Sequence, residues 1–169
     1  MECRAAADLL AAFAEQGLRA CVGGGWAVDA LLGSQSRPHA DLDLAIDATQ
    51  LDEVISLMSS WGYRRAVDWL PVRVEWAHPN GSRVDLHPLR FAADGSAVQA
   101  GLGGTEFHYP ADCFTRGHID ARACECLTAR QQLVFREGYR WRPVDHHDVP
   151  RLRALLSSSL GPASGQGAS

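Results

Sequence analysis

The stretch GGGWAVDALLGSQSRPHADLDLAI, residues 23–46, decides the fold. It opens on three glycines, runs through about two helical turns stopped by Gly33, and closes on an alternating run. Residues two apart on a strand share a face. In ADLDLAI, Leu42, Leu44 and Ile46 therefore point toward a core, while Asp41 and Asp43 point the other way. Two carboxylates that close repel unless a cation sits between them. Hard divalent cations such as Mg²⁺ take oxygen ligands and keep waters or phosphate oxygens. Taken alone, an aspartate pair at this spacing more often marks a solvated edge strand, so the metal reading needs support from outside it.

Upstream, LRACVGG reads as a short strand entering a glycine turn. Gly24 and Gly25 then open a helix, whose first N–H groups carry the positive end of its dipole; that is a place for a phosphate chain. Downstream, VRVEWAHPNGSRVDLHPL is two alternating runs around Asn80-Gly81, a turn pair suited to positive φ. Val84 and Leu86 face the core, so Asp85 and His87 share the other face. A third carboxylate on a neighbouring strand completes a two-metal site or serves as a general base. Glu75 is the rival. It shares its face with Arg73, and an ion pair between them is the simpler account.

The remaining chain sets limits. Its 169 residues, 46% of them hydrophobic, suit one soluble domain with at most a small appendage. No run approaches the roughly 18 apolar residues of a membrane span, and the first residues read as an amphipathic helix rather than a signal peptide, so a cytoplasmic protein is expected. The five cysteines include no C-x-x-C pair and read as reduced thiols. All sixteen basic residues are arginine, which excludes a lysine Schiff base and a phosphate-loop lysine. A net charge of −4 disfavours a nucleic-acid partner.

The element order β-α-β-α-β-β-β, then mostly helix, points to an α/β (α+β) fold: a mixed sheet flanked by helices, with a small C-terminal helical part. Thr49 is the expected N-cap of a helix through residue 61, Thr128 and Gln131 form a capping-box pattern, and Asp145 caps a last helix. Residues 1–90 are expected to form the core and 91–160 the mostly helical remainder. The glycine-, serine- and alanine-rich tail over 161–169 is expected to be disordered.

A Gly-Gly turn, a short helix, a hydrophobic-Asp-hydrophobic-Asp strand and a later hydrophobic-Asp-hydrophobic resemble the polymerase β-type nucleotidyltransferase superfamily. The fuller string GGGWAVDALLG…R-x-H-x-DLDLAI followed by GSRVDLHPL resembles its antibiotic nucleotidyltransferases, those of lincosamides and the related aminoglycoside 2''-nucleotidyltransferases. The likeness covers residues 18–90 well and extends loosely through CLTARQQLVFREGY and DHHDV. It implies that Gly24 and Gly25 hold the phosphates of ATP or another nucleoside triphosphate. Asp41 and Asp43 would hold Mg²⁺, two ions in all, with Asp85 as third metal carboxylate and base. Where many relatives have an acidic residue before the aspartate pair, this chain has Ala40.

The same neighbourhood makes Arg37 and His39 candidates for phosphate oxygens, while His87, Asp29 and Trp26 have structural readings at least as good. Asp145 to Asp148 invite a metal reading, but that needs further aspartates on strand ends and this segment starts a helix, so Asp145 as an N-cap is the better account. The implied reaction moves AMP, or another NMP, to a hydroxyl of a small antibiotic. The alternatives are a protein-AMPylating module of the antitoxin type, which usually carries Gly-Ser and an arginine-rich helix, and a domain that has lost catalysis. A homodimer is left open. Residues 91–169 carry eight acidic and eight basic residues and seven aromatics. That balance favours a lincosamide, with one amine and an apolar flank, over a polycationic aminoglycoside.

Overall fold

The computed structural model describes residues 1–159; the tail expected to be disordered lies outside the described residues. Helix α1 (Cys3–Glu15), the amphipathic helix expected at the start of the chain, buries Leu9 and Phe13 and half-buries Leu10. Strand β1 (Ala20–Val22) runs through Gly23 into α2 (Gly24–Leu32), and a loop leads to β2 (Leu42–Asp47). Helix α3 (Leu51–Ser60) follows a single 3₁₀ turn. The cap of that turn is Asp47 rather than Thr49: its carboxylate accepts from the Thr49 N–H at 2.8 Å and hydroxyl at 2.7 Å. A carboxylate one turn early reaches the free N–H groups better than a hydroxyl already inside the turn.

Strands β3 (Arg64–Trp69), β4 (Arg73–Ala77) and β5 (Arg83–Phe91) follow. The β4–β5 pair is the hairpin expected around Asn80-Gly81, with Gly81 at φ +91°. Beyond it the chain is less helical than its sequence suggests. Strands β6 (Ala97–Ala100), β7 (Glu106–Tyr109), β8 (Phe114–Ile119) and β9 (Arg122–Leu127) precede α4 (Ala129–Val134) and α5 (Pro143–Ser159). Thr128 caps α4 by accepting from the Gln131 N–H, but the Gln131 side chain bonds the His108 carbonyl instead of closing the box. Helix α5 begins two residues before Asp145, whose carboxylate reaches back to accept the Arg142 N–H at 2.9 Å.

All nine strands join one mixed sheet, in the order β3-β4-β5-β2-β1-β9-β8, with β6 on the far end of β5 and β7 on β6. The β2–β5 and β1–β9 pairs are parallel and the rest antiparallel. One face carries Leu42, Leu44, Ile46, Val74, Val84 and Leu86, each at most 1% exposed, packed in one core with α1, α2 and α3. Each such side chain contributes about 2 kcal/mol, which fixes the register, since a one-residue slip would turn them all outward. On the other face a smaller cluster around Cys21, Ala45, Leu89 and Leu127 covers only part of the sheet. Helices α4 and α5 dock on α2 through Val28, Ala129 and Leu152. The five cysteines are free. Among the described residues no helix is long and apolar enough to cross a membrane.

Candidate active site

The register puts Glu75 opposite Asp85 and Asp85 opposite Asp43, so three carboxylates stand in a row across β4, β5 and β2. Asp43, Asp85 and His87 each offer a ligand atom, all within 4.8 Å of one another. Asp85 is 8% exposed, and its Oδ1 is buried without a hydrogen-bond partner. Burial pushes its carboxyl above the ordinary value and the Asp43 charge adds to that, against the pull of His87 and Arg73. An orphaned carboxylate oxygen beside a second carboxylate is a donor set that fits a divalent cation. Asp41 stands apart, exposed and just ahead of β2, outside this three-residue group. Partial desolvation and the nearby Asp43 raise its carboxyl as well.

Two side chains brace the row. Arg73 Nη1 donates to Glu75 Oε1 at 2.5 Å and to Asp85 Oδ2 at 2.6 Å. The expected Arg73–Glu75 pair thus includes the third carboxylate too. His87 Nε2 lies 3.6 Å from both Asp43 Oδ1 and Asp85 Oδ2. Its Nδ1 faces the Gln99 amide nitrogen at 3.0 Å, which also donates to the Val72 carbonyl, while Gln99 Oε1 accepts from the Tyr109 hydroxyl at 2.7 Å. With the amide so oriented, Nδ1 is the acceptor and Nε2 carries the proton, aimed at the two aspartates. Gln99 and Tyr109 lie on strands that have no motif of their own, and only the pairing of β5, β6 and β7 brings them here.

The glycine turn abuts the same row. The Gly23 N–H bonds the Asp43 carbonyl at 2.8 Å. Gly24 has φ +54°, and a Cβ there would collide with Asp43 Oδ2. Gly23 offers no side chain to cap α2, which leaves the first N–H groups of the helix for a ligand.

At Gly25 a Cβ would instead meet Arg37 and His39. These two have protein partners. His39 is buried, 2.5 Å from Asp29 and with its ring tilted against that of the core residue Trp26 at 4.4 Å, and Asp29 also accepts from the Ser36 N–H and hydroxyl. Arg37 makes a two-pronged pair with Asp148, at 2.9 and 2.8 Å. Asp148 also faces Arg136 at 3.4 Å. Asp145 lies between Arg136, at 3.4 Å, and Arg142, at 3.2 Å. The DHHD segment is therefore a clamp joining α5, α4 and the loop ahead of β2.

A cavity of about 310 Å³ opens between the row and the C-terminal helices. Its floor is Gly23, Gly24, Asp43, Ala45 and His87. Phe107, Tyr109, Phe135 and Tyr139, four of the seven C-terminal aromatics, wall it together with Arg136 and Arg142. Phe91 and Phe114 instead cover Arg19, and Trp141 packs on His146. A larger groove, of about 480 Å³, between α1 and β8–β9 lacks these carboxylates.

The chain is similar to known proteins over most of its length. The model of the aminoglycoside-2''-adenylyltransferase family matches residues 6–152. A lincosamide resistance protein of Staphylococcus haemolyticus is 35% identical over 132 residues, 78% of this chain and 82% of that protein. A 2''-aminoglycoside nucleotidyltransferase of Klebsiella pneumoniae is 39% identical over 57 residues, 34% of this chain and 32% of that one. Among solved structures, the lincomycin-bound lincosamide antibiotic adenylyltransferase LnuA superposes with a TM-score of 0.79 at 32% identity, over 88% of this chain and 94% of LnuA. ANT(2'')-Ia in complex with adenylyl-2''-tobramycin shares the fold, with a TM-score of 0.70 at 24% identity over 94% and 89%.

Proposed function

We infer that this chain, which belongs to the aminoglycoside-2''-adenylyltransferase family, is an antibiotic-modifying nucleotidyltransferase. It moves AMP from ATP to a hydroxyl of a small antibiotic, a lincosamide in preference to an aminoglycoside. The observation that carries the chemistry is the row Asp43–Asp85 beside a helix start that holds no capping side chain. The acceptor oxygen forms a bond to the α-phosphorus while the bond from that phosphorus to the bridging oxygen breaks and pyrophosphate leaves. The acceptor proton passes to Asp85.

Sheet order gives the reaction a direction. The α2 start and its free N–H groups receive the phosphates, with Gly24 keeping the backbone close. Asp85 lies on the opposite side of Asp43, on β5, so the acceptor approaches over β5 and β4. His87 holds its Nε2 proton between the two aspartates and fixes their spacing. Asp41, Asp43 and Asp85 are the residues that would hold two Mg²⁺ ions, which supply charge neutralisation to the phosphates. Arg37 and His39 act on the nucleotide through the loop they fix. On this reading residues 1–90 carry the nucleotidyl chemistry, and 91–160 close the cavity and receive the end of the acceptor that extends from β5 past His87 into it.

The charge of the cavity favours the lincosamide. Its lining has two arginines, four aromatics and a single carboxylate, Asp43. Asp94 and Glu106, which a polyamine could use, are engaged elsewhere, with Ser96 and with Arg90. An ammonium buried without a partner is costly. The test is incubation with ATP, Mg²⁺ and a mixed antibiotic panel, read by mass spectrometry. A single AMP added to a lincosamide supports the reading. Label that appears only on protein supports the AMPylating alternative.

A further inference from the structure

The acceptor side of the row carries a second set of residues that the transfer itself does not require. Arg73 bridges Glu75 and Asp85 through one nitrogen. Arg83 stands 3.8 Å from the other Glu75 oxygen. The Arg73 guanidinium carbon lies 4.6 Å from the centre of the Trp69 ring, and Trp69, its partner across β3 and β4, is half exposed. The turn that holds Trp69 is tied down: the Val72 N–H bonds the Trp69 carbonyl, and Gln99 bonds the Val72 carbonyl.

We propose that Arg73 is a specificity-determining residue. By engaging Glu75 it withholds from a polycationic antibiotic the one carboxylate of the row that the cations do not use, and leaves the Trp69 ring for an acceptor of low charge. This rests on the transfer reading above, in which Asp41, Asp43 and Asp85 belong to the cations, Asp85 also serves as base, and the acceptor arrives over β4 and β5. A polyamine on this side meets an arginine where it needs an anion, and like charges brought together disfavour the wrong partner. A sugar ring or alkyl flank instead finds the flat apolar surface of the half-exposed Trp69 indole. Resolving the Glu75–Asp85 repulsion would also call for a cation here. That purely structural role would affect every acceptor alike, whereas a specificity role changes their ratio.

The experiment measures the affinities of lincomycin and of tobramycin, with Mg²⁺ and a non-hydrolysable ATP analogue present. It compares the wild type with Arg73→Gln and Arg73→Lys, using Arg73→Met should the glutamine variant fail to fold. Neutralising Arg73 is expected to tighten tobramycin binding roughly 10-fold, the size of one charge-assisted hydrogen bond, and to leave lincomycin close to wild type. The lysine variant should keep the wild-type ratio, and adding Glu75→Gln to Arg73→Gln should cancel the gain. An unchanged ratio, or parallel weakening of both antibiotics, overturns the inference and leaves the transfer reading standing. A wild type that binds neither antibiotic overturns both.

Discussion

Two acid-rich clusters reach the start of α2, one at Gly24 through Asp43 and the other at Gly25 through the Arg37 that pairs with Asp148, and they are built to opposite ends. On β2, β4 and β5 the three carboxylates Glu75, Asp85 and Asp43 face two arginines, Arg73 and the exposed Arg83, and one histidine. In the α4–α5 region two carboxylates, Asp145 and Asp148, face three arginines, Arg37, Arg136 and Arg142. Burial raises the Asp85 carboxyl, and its partners do not overcome it. Burial also opposes ionisation of Asp148, but there the Arg37 fork, His147 and Arg136 win and hold the carboxyl below its ordinary value. Acidic residues in excess of their cations, open to a cavity, make a place that awaits a cation. Acidic residues outnumbered by arginines make a joint. In sequence, D-x-D takes its metal reading from the glycine turn and the Asp85 strand while D-H-H-D is better explained as a helix start, and the partners in the structure separate the two the same way.

The largest expected effect breaks the comparison on its open side. Asp43→Asn or Asp85→Asn should lower turnover by about 10²-fold or more with little change in melting temperature. Near-normal turnover in both would remove the row from the chemistry. Next comes the closed side. Asp148→Asn leaves Arg37 without its carboxylate partner and Arg136 with Asp145 alone, and should cost about 3 kcal/mol at neutral pH, measured by denaturant unfolding. Because the folded Asp148 carboxyl lies below its unfolded value, that stabilisation is present above the unfolded value. It is lost as pH falls through the folded one, so wild type and variant should converge only in acid. An equal gap at every pH would mean that the ion pair is not its source. A smaller change, Gly24→Ala, puts a Cβ against Asp43 in a left-handed conformation. It should cost about 1–2 kcal/mol and should weaken nucleotide binding, by calorimetry, beyond what the stability loss explains. The smallest is Thr128→Ala, about 1 kcal/mol for a lost cap, with acceptor preference unchanged.

The open cluster was legible because local rules wrote it. Leu42, Leu44 and Ile46, with Val84 and Leu86, alternate strictly, and the structure buries each of them, so Asp43 and Asp85 had to face the other way. The glycines announced the turn. The closed cluster was not legible: Arg37 and Asp148 are 111 residues apart, and no periodicity links them. The missed strands have physical reasons too. β3 is an edge strand, mostly exposed, that needs no apolar alternation. The β8–β9 hairpin turns on Asp120 and Ala121 at φ +49° and +60°, positions where the usual signal is Asn-Gly or Asp-Gly. The reach of Arg73 to Asp85 required the β4–β5 register, which the sequence suggested without fixing.

The contrast between the clusters comes down to which of them takes a divalent cation. Manganese can report this directly, by electron paramagnetic resonance of Mn²⁺ titrated into the protein with a non-hydrolysable ATP analogue. The account predicts bound Mn²⁺ in the wild type and in folded Asp148→Asn, and its loss in Asp43→Asn. Bound Mn²⁺ that survives Asp43→Asn but disappears in folded Asp148→Asn would contradict it.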